Sequence, residues 1–222
     1  MQLIIGNKNY SSWSLRSWLL LHHFNIKFTE TKESLSSEQL SQRLNQYSPS
    51  NKVPVLLHNT EVIWDTLAIA EYVNEHLQGQ AWPIQQNLRH YARCISAEMH
   101  SGFNHLRNAM PMNIRAKRHV AITPYIQAEI DRIEHIFGIA REQHKKHGPW
   151  LAGTFSIADC MYAPVASRFK TYGITLEDSA QEYVDRIHGH PSMQQWANDA
   201  MQETEIIPED EAGEEVEQNI GL

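Results

Sequence analysis

The chain of 222 residues holds only 2 cysteines, Cys94 and Cys160, and no apolar run near the length of a membrane helix, roughly 20 residues. Two thiols close at most one bridge and lack any paired spacing. A disulfide scaffold, a zinc finger and a Cys-x-x-Cys redox loop are therefore excluded, and a reducing compartment is expected. Met1-Gln2-Leu3-Ile4-Ile5-Gly6 lacks the charged head and long apolar stretch of a secretory signal, so the expected location is the cytoplasm, with no membrane partner. Metal-ligand spacing is missing as well. Of the 13 histidines, His22-His23, His100/His105 and His188/His190 do not stand at i, i+4, and no His-Glu-x-x-His occurs, so no metal is expected. Arg115-Lys117-Arg118 is a basic patch without interleaved aromatics and reads as a solvated face, which leaves no nucleic-acid partner. The net charge of −7 adds little to that exclusion, because 8 of the 26 acids lie from Glu203 onward with no base among them. The acid-rich tail, residues 204–222, lacks apolar periodicity and reads as a solvated extension.

Hydrophobic residues make up 41% of the chain, enough to pack one large domain or two small ones. Gln2 to Gly6 reads as a buried strand, and Leu15, Trp18, Leu19, Leu20, Leu21 and Phe24 form a broad helical stripe from Ser12 to Phe24, with Ser11 or Ser12 as its cap. Lys27 to Lys32 reads as a second strand and Ser36 to Gln46 as a short polar helix. Val53 to His58 and Glu61 to Trp64, separated by Asn59-Thr60, predict a hairpin, and Asp65 or Thr66 caps a helix marked by Leu67, Ala70, Val73 and Leu77. The order is β-α-β-α-β-β-α over residues 1–78. Residues 79–86 read as a linker. Beyond it only helices are expected, from Gln85 to Asn108, Pro124 to Lys146, Ser156 to Thr171, Ala180 to His188 and Ser192 to Glu203, giving an all-helical domain over 87–203.

Four segments in one order carry a specific resemblance: Tyr10-Ser11-Ser12-Trp13-Ser14-Leu15-Arg16, Asn51-Lys52-Val53-Pro54-Val55-Leu56, Asp65-Thr66-Leu67-Ala68-Ile69-Ala70-Glu71-Tyr72, and Gly153-Thr154-Phe155-Ser156-Ile157-Ala158-Asp159. Together they resemble the cytosolic glutathione S-transferase (GST) family. The first is similar to the Ser-Ser-Cys-Ser-x-Arg signature of the zeta class, and Ser96 to Phe103 looks like a bacterial zeta-related subgroup. The implied fold is α/β plus all-α, a thioredoxin-like N-terminal domain followed by the helical GST C-terminal domain. The implied activity is conjugation of the glutathione thiolate to small electrophiles, a detoxification chemistry, by a homodimer that uses glutathione as co-substrate. Zeta-type isomerisation of maleylacetoacetate, glutathione-dependent disulfide or peroxide reduction, and a non-catalytic interaction module of the same fold are the alternatives. Trp13 stands where the zeta class has cysteine, which removes a thiol and adds bulk.

The resemblance also implies site roles. A free thiol has a pKa near ~8.5, so its thiolate needs stabilisation at neutral pH, and a helix N-terminus with a serine hydroxyl supplies it. Ser11 is the implied catalytic residue and Ser12 the alternative in a register open by one; both also suit plain helix capping. Val53-Pro54 resembles the family's cis-proline turn, through which the Val53 backbone pairs with the cysteinyl backbone of the tripeptide; a trans proline at a strand edge is the structural alternative. Thr66 suits the γ-glutamyl carboxylate and Asp65 its ammonium, although the family commonly has the longer Glu or Gln at the Asp65 position. Lys52 is a candidate for the glycyl carboxylate. Trp13, Met99 and Phe103 are the implied walls of the electrophile pocket, while Met99, Phe103 and Leu106 at i, i+4, i+7 also fit core packing. Ser156 and Asp159 read as a structural capping box.

Overall fold

The computed structural model describes residues 1–216. Strand β1 (Gln2–Ile5) lies inside a four-stranded sheet of order β2-β1-β3-β4, parallel to β2 (Thr29–Lys32) and antiparallel to β3 (Val55–His58), which pairs with β4 (Glu61–Trp64). Burial of Leu3, Ile4 and Ile5 on both faces explains its unbroken apolar run. Asn59 takes the left-handed conformation (φ 55°) that the tight β3–β4 turn requires. Helices α1 (Ser12–His23), α2 (Leu40–Leu44) and α3 (Thr66–His76) complete this half, so β2 starts two residues later and α2 is shorter than the sequence pattern predicts.

The second half contains α4 (Gln86–Ser101), α5 (Asn104–Ala109), α6 (Pro124–Ile139), α7 (Ile157–Thr171), α8 (Asp178–Gly189) and α9 (Pro191–Met201). The single helix expected over 85–108 is broken in two. Gly102 turns extended after its N–H bonds to the Glu98 carbonyl, and Phe103 follows in the left-handed region (φ 57°). Phe103 offers no side-chain cap; the Glu129 carboxylate from α6 accepts instead from the His105 and Leu106 N–H groups, at 3.3 and 2.7 Å. After Ile139 the predicted helix loosens into one wide turn (Ala140–His144) and one tight turn (Lys145–His147).

Both halves share one hydrophobic core. Helix α1 is buried along nearly its whole length between the sheet side, contributed by Leu3, Ile5 and Leu56, and the helical side, contributed by α7 and α9. The supposed linker belongs to this core: Ala81 and Trp82 are buried, and the Ala81 carbonyl accepts from Ile157 N at 3.0 Å. Lys8 adds a polar clamp. Its ammonium lies 5.0 and 5.2 Å from the ring centroids of Trp18 and Trp196 and pairs with Glu30 (3.0 Å) and Asp199 (2.7 Å).

Over its described residues, 204–216, the acidic tail is not a solvated extension; 217–222 lie outside the described residues. From Glu203 the chain runs back across both halves as a strap, ending in a two-residue strand β6 (Glu214–Glu215) antiparallel to β5 (Arg118–His119), a pair the helix-only expectation missed. Three of its acids find protein donors. Glu203 accepts from Lys8 N and Asn9 N at 3.0 Å, Glu205 from Asn7, Ser34 and Ser36, and Glu211 from Tyr10 Oη (2.5 Å), Asn113 (2.9 Å) and Arg118 (2.8 Å). Hydrogen bonds from the two serines and Asn7 hold the Glu205 carboxyl down to a pKa of about 2. Among the described residues no helix is long and apolar enough to cross a membrane.

Asp159 sits wholly buried at the start of α7, where it closes the capping box with Ser156 and accepts from Leu151 N (3.1 Å) and Tyr183 Oη (3.1 Å). Burial outweighs these bonds and pushes its pKa up to about 6. Asp159→Ala strands several buried donors and should cost about 3 kcal/mol or more in urea unfolding, with Asp159→Asn costing less; an unchanged midpoint would contradict the role. Deleting the strap after Met201 should cost about 3 kcal/mol in the same assay, through its lost buried hydrogen bonds and the lost burial of Ile207. His23 stacks on Phe155 at 3.9 Å with its Nδ1 2.9 Å from His190 Nε2, and burial first, then His190, lowers its pKa to about 4. A base held neutral by folding contributes stability that is intact above pH ~6.5 and lost as pH falls toward 4. Asp159, whose pKa folding raises, works in the opposite sense below pH ~6. The stability difference between His23→Phe and the parent should therefore move in favour of the variant from pH 6.5 to 4; a flat difference would overturn this assignment.

Candidate functional site

Where β1 ends, the chain must turn and start α1, and local hydrogen bonds fix that turn. Tyr10 N and Ser11 N both donate to the Asn7 carbonyl, at 3.2 and 2.8 Å, and Ser14 Oγ accepts from Gly6 N at 3.0 Å. Gly6 allows close approach here, since a Cβ would lie 2.8 Å from the Leu35 side chain. Ser11 is the N-cap of α1. Its Oγ accepts from Ser14 N at 3.4 Å, and its hydroxyl donates to Ser14 Oγ at 2.7 Å. Ser12, the first helical residue, differs: its Oγ accepts from Arg168 Nη2 at 3.4 Å, which leaves its own proton uncommitted.

Ser11 and Ser12 open onto a cavity of about 400 Å³ that Trp13, Lys52, Val53, Arg107, Pro111, Arg168 and Asp210 also line. A second cavity of about 710 Å³ shares Trp13, Lys52, Val53 and Arg107 with it and adds Pro54, Trp64, Asp65, Thr66 and His100. The two are lobes of one cleft. The Val53-Pro54 bond that leads into β3 is cis, as the resemblance implied. Asp65 caps α3 with a positive φ (71°), a conformation costly for a side-chain-bearing residue; its Oδ1 accepts from Leu67 N (2.8 Å) and Ala68 N (3.4 Å), and its Oδ2 lies 3.3 Å from His100 Nε2. Beside it, the Thr66 hydroxyl is buried with no partner.

Trp13 is the hinge of the two lobes. The Arg16 and Arg107 guanidinium carbons lie 4.3 and 4.6 Å from its ring centroid, and the His100 ring meets it edge-on at 5.4 Å. Arg16 is 1% exposed and its Nε and Nη1 have no partner. Arg168 donates from Nε to the Met110 carbonyl at 2.7 Å, while its buried Nη1 also lacks one. Among the described residues no carboxylate forms an ion pair with any of these three guanidiniums. Burial and mutual repulsion hold the protonation of Arg16 well below the ordinary arginine range, bring Arg168 down to about 10, and burial alone lowers Arg107. The cleft thus presents positive charge and unfilled donors, a setting suited to an anion.

Eight of the ten residues expected to carry function meet on this cleft: Ser11, Ser12, Trp13, Lys52, Val53, Pro54, Asp65 and Thr66. Met99 and Phe103 do not. Both face inward across the break between α4 and α5: Met99 is fully buried and the Phe103 ring centroid lies 6.5 Å from that of Tyr162, while α4 and α5 give the cleft His100 and Arg107. Arg16 and Arg168 carried a usable signal, each being a lone arginine inside an apolar helical run that burial would have to cover.

The N-terminal model of the glutathione S-transferase family matches residues 10–76, and its C-terminal model matches residues 123–199. Protein IN2-1 homolog B of Oryza sativa is 28% identical over 200 residues, which cover 82% of this chain and 76% of that protein. A glutathione transferase homolog from Burkholderia, solved with bound glutathione, superposes with a TM-score of 0.65 at 22% identity over 90% of this chain and 96% of its own. Maleyl pyruvate isomerase, a bacterial zeta-class protein, gives 0.71 at 18% identity over 93% and 100%.

Proposed function

Since the chain belongs to the glutathione S-transferase family, we propose that it binds glutathione along the cleft and adds the glutathione thiolate to a small electrophilic carbon. The observation that carries this reading is the convergence of two serines at the start of α1, an unpartnered Thr66 hydroxyl at the start of α3 and un-neutralised arginines on one cleft. Each end of the tripeptide then meets suitable chemistry. Thr66 and the α3 N-terminus receive the γ-glutamyl carboxylate, Asp65 its ammonium, the Val53 backbone the cysteinyl unit, and Lys52 the glycyl carboxylate. The sulfur falls at the start of α1. There the Ser12 proton is uncommitted, whereas Ser11 would exchange its Ser14 partner for sulfur; Arg168 behind Ser12 makes that hydroxyl a better donor.

The nucleophile forms a carbon–sulfur bond while the leaving group departs from the smaller lobe, with the thiol proton already released to solvent. A second reading is favoured by the arginines. Guanidiniums that form no ion pair suit an electrophile that carries carboxylate, as in isomerisation of a maleyl acid, where the thiolate adds to the cis double bond and is expelled after rotation. Trp13 narrows the room for such a substrate, and conjugation stays the primary reading. The same reading includes a cytoplasmic homodimer; β4, an edge strand, leaves Val62 exposed for a partner copy.

Ser11→Ala and Ser12→Ala, made singly, separate the two hydroxyls. With glutathione bound, the thiolate absorbance should titrate about one pH unit higher in at least one variant, with a roughly tenfold fall in kcat/KM at neutral pH. Unchanged ionisation in both would sink the serine role. Absence of glutathione binding to the folded parent protein would sink the transferase reading itself.

A further inference from the structure

The strap brings a carboxylate to the cleft. Tight turn Pro208–Asp210 is anchored on one side by Glu203 and Glu205, which accept from the loop before α1, and on the other by Glu211, which accepts from Tyr10 Oη and Arg118. Between those anchors Asp210 is half-buried and lines the smaller lobe together with Ser11, Ser12, Arg107 and Arg168. Arg168 is 4% exposed, and its buried Nη1 has no hydrogen-bond partner. Among the described residues Asp210 is the acidic side chain on the wall of that lobe; it forms no ion pair with Arg168, yet its charge is felt there and favours the protonated guanidinium.

We propose that Asp210 is a specificity-determining residue, held over the lobe by the strap so that it competes with any negatively charged electrophile for Arg168 and biases the site toward neutral ones. This rests on the reading of the smaller lobe as the electrophile site. A neutral molecule leaves the Asp210–Arg168 field undisturbed. An anionic one meets a carboxylate in a partly desolvated space, where like charges repel more strongly than in water. The electrostatic coupling is mutual: Asp210 raises the proton affinity of Arg168, and Arg168 lowers that of Asp210. Burial and the flanking Glu209 and Glu211 act the other way on Asp210, so its negative charge is held at a cost that an uncharged neighbour would relieve. The position therefore sets which charge the lobe accepts, and Asp210 does not line the larger lobe that holds Asp65 and Thr66.

Asp210→Asn keeps shape and removes the charge; Glu209→Gln removes the same charge from an exposed neighbour on the same turn. The probes are 4-nitrobenzoate and its neutral analogue 4-nitrobenzyl alcohol, titrated by calorimetry into the full-length protein in saturating glutathione. Asp210→Asn should tighten the benzoate by about fivefold and leave the alcohol within about twofold, with Glu209→Gln changing neither. An equal change for both probes, the same effect from Glu209→Gln, or no benzoate binding by Asp210→Asn would overturn the proposal. Glutathione affinity, measured separately, should be unchanged in both variants. Its absence in the parent would reject the transferase reading alone, because the two nitroaromatic probes, titrated without glutathione, still report on Asp210. Where chlorodinitrobenzene is turned over, the kcat/KM ratio of a carboxylated to an uncarboxylated chloronitrobenzene should rise in Asp210→Asn by the same factor.

Discussion

Burial of α1 on almost every side is the constraint on which the rest of this structure depends. A helix enclosed by a sheet on one face and by α7 and α9 on the other cannot slide or roll without opening the shared core on both sides, so its first turn is fixed in space. That first turn carries Ser11, Ser12 and Trp13. The cleft forms where the second half leaves the start of α1 uncovered, and its wall is completed from α3, α5 and α7. Precision at the site thus comes from a packed helix rather than from loops.

The same burial creates the electrostatic problem of the molecule. Arg16 follows Trp13 by three residues and is carried into the interior by the helix that buries Leu15 and Leu19; Arg168 is carried in by α7. Neither meets a carboxylate within ion-pairing distance, and a buried unpaired guanidinium is costly. Stacking on Trp13, the Met110 carbonyl and the Ser12 hydroxyl offset part of that cost. Arg168, on the wall of the smaller lobe, keeps a buried unsatisfied donor there, which an anion in the cleft would help to balance. Asp159 and Lys8 show the other solution, where each buried charge is surrounded by groups of opposite polarity and serves the fold.

Much of this was legible in the sequence, because apolar period and cap chemistry are local. The sheet, the β3–β4 turn at Asn59, the start of α1 at the serines, the Asp65 cap and the Ser156–Asp159 box follow from neighbours within four residues. Long-range compensation was not legible. Nothing near Phe103 announces that Glu129 will cap α5, so the helix over 85–108 looked continuous. Met99 and Phe103 were ambiguous for a related reason: a helical stripe states that a face is buried, not whether a core or a ligand buries it. The strap was misread because acids without periodicity imply solvent unless their donors are known, and those donors lie far away in the chain.

That separation has a kinetic meaning. The bonds from Lys8 N to Glu203 and from Tyr10 Oη to Glu211 join residues 195 and 201 positions apart, among the longest contacts a chain of this size can make. Contacts of such span form late, because the ordering of everything between them must come first. During synthesis the N-terminal half would already hold its sheet while the strap was still unmade. The start of α1 therefore stays open to solvent until nearly the whole chain has been produced, and the smaller lobe of the cleft is closed by the last described part of the molecule to arrive.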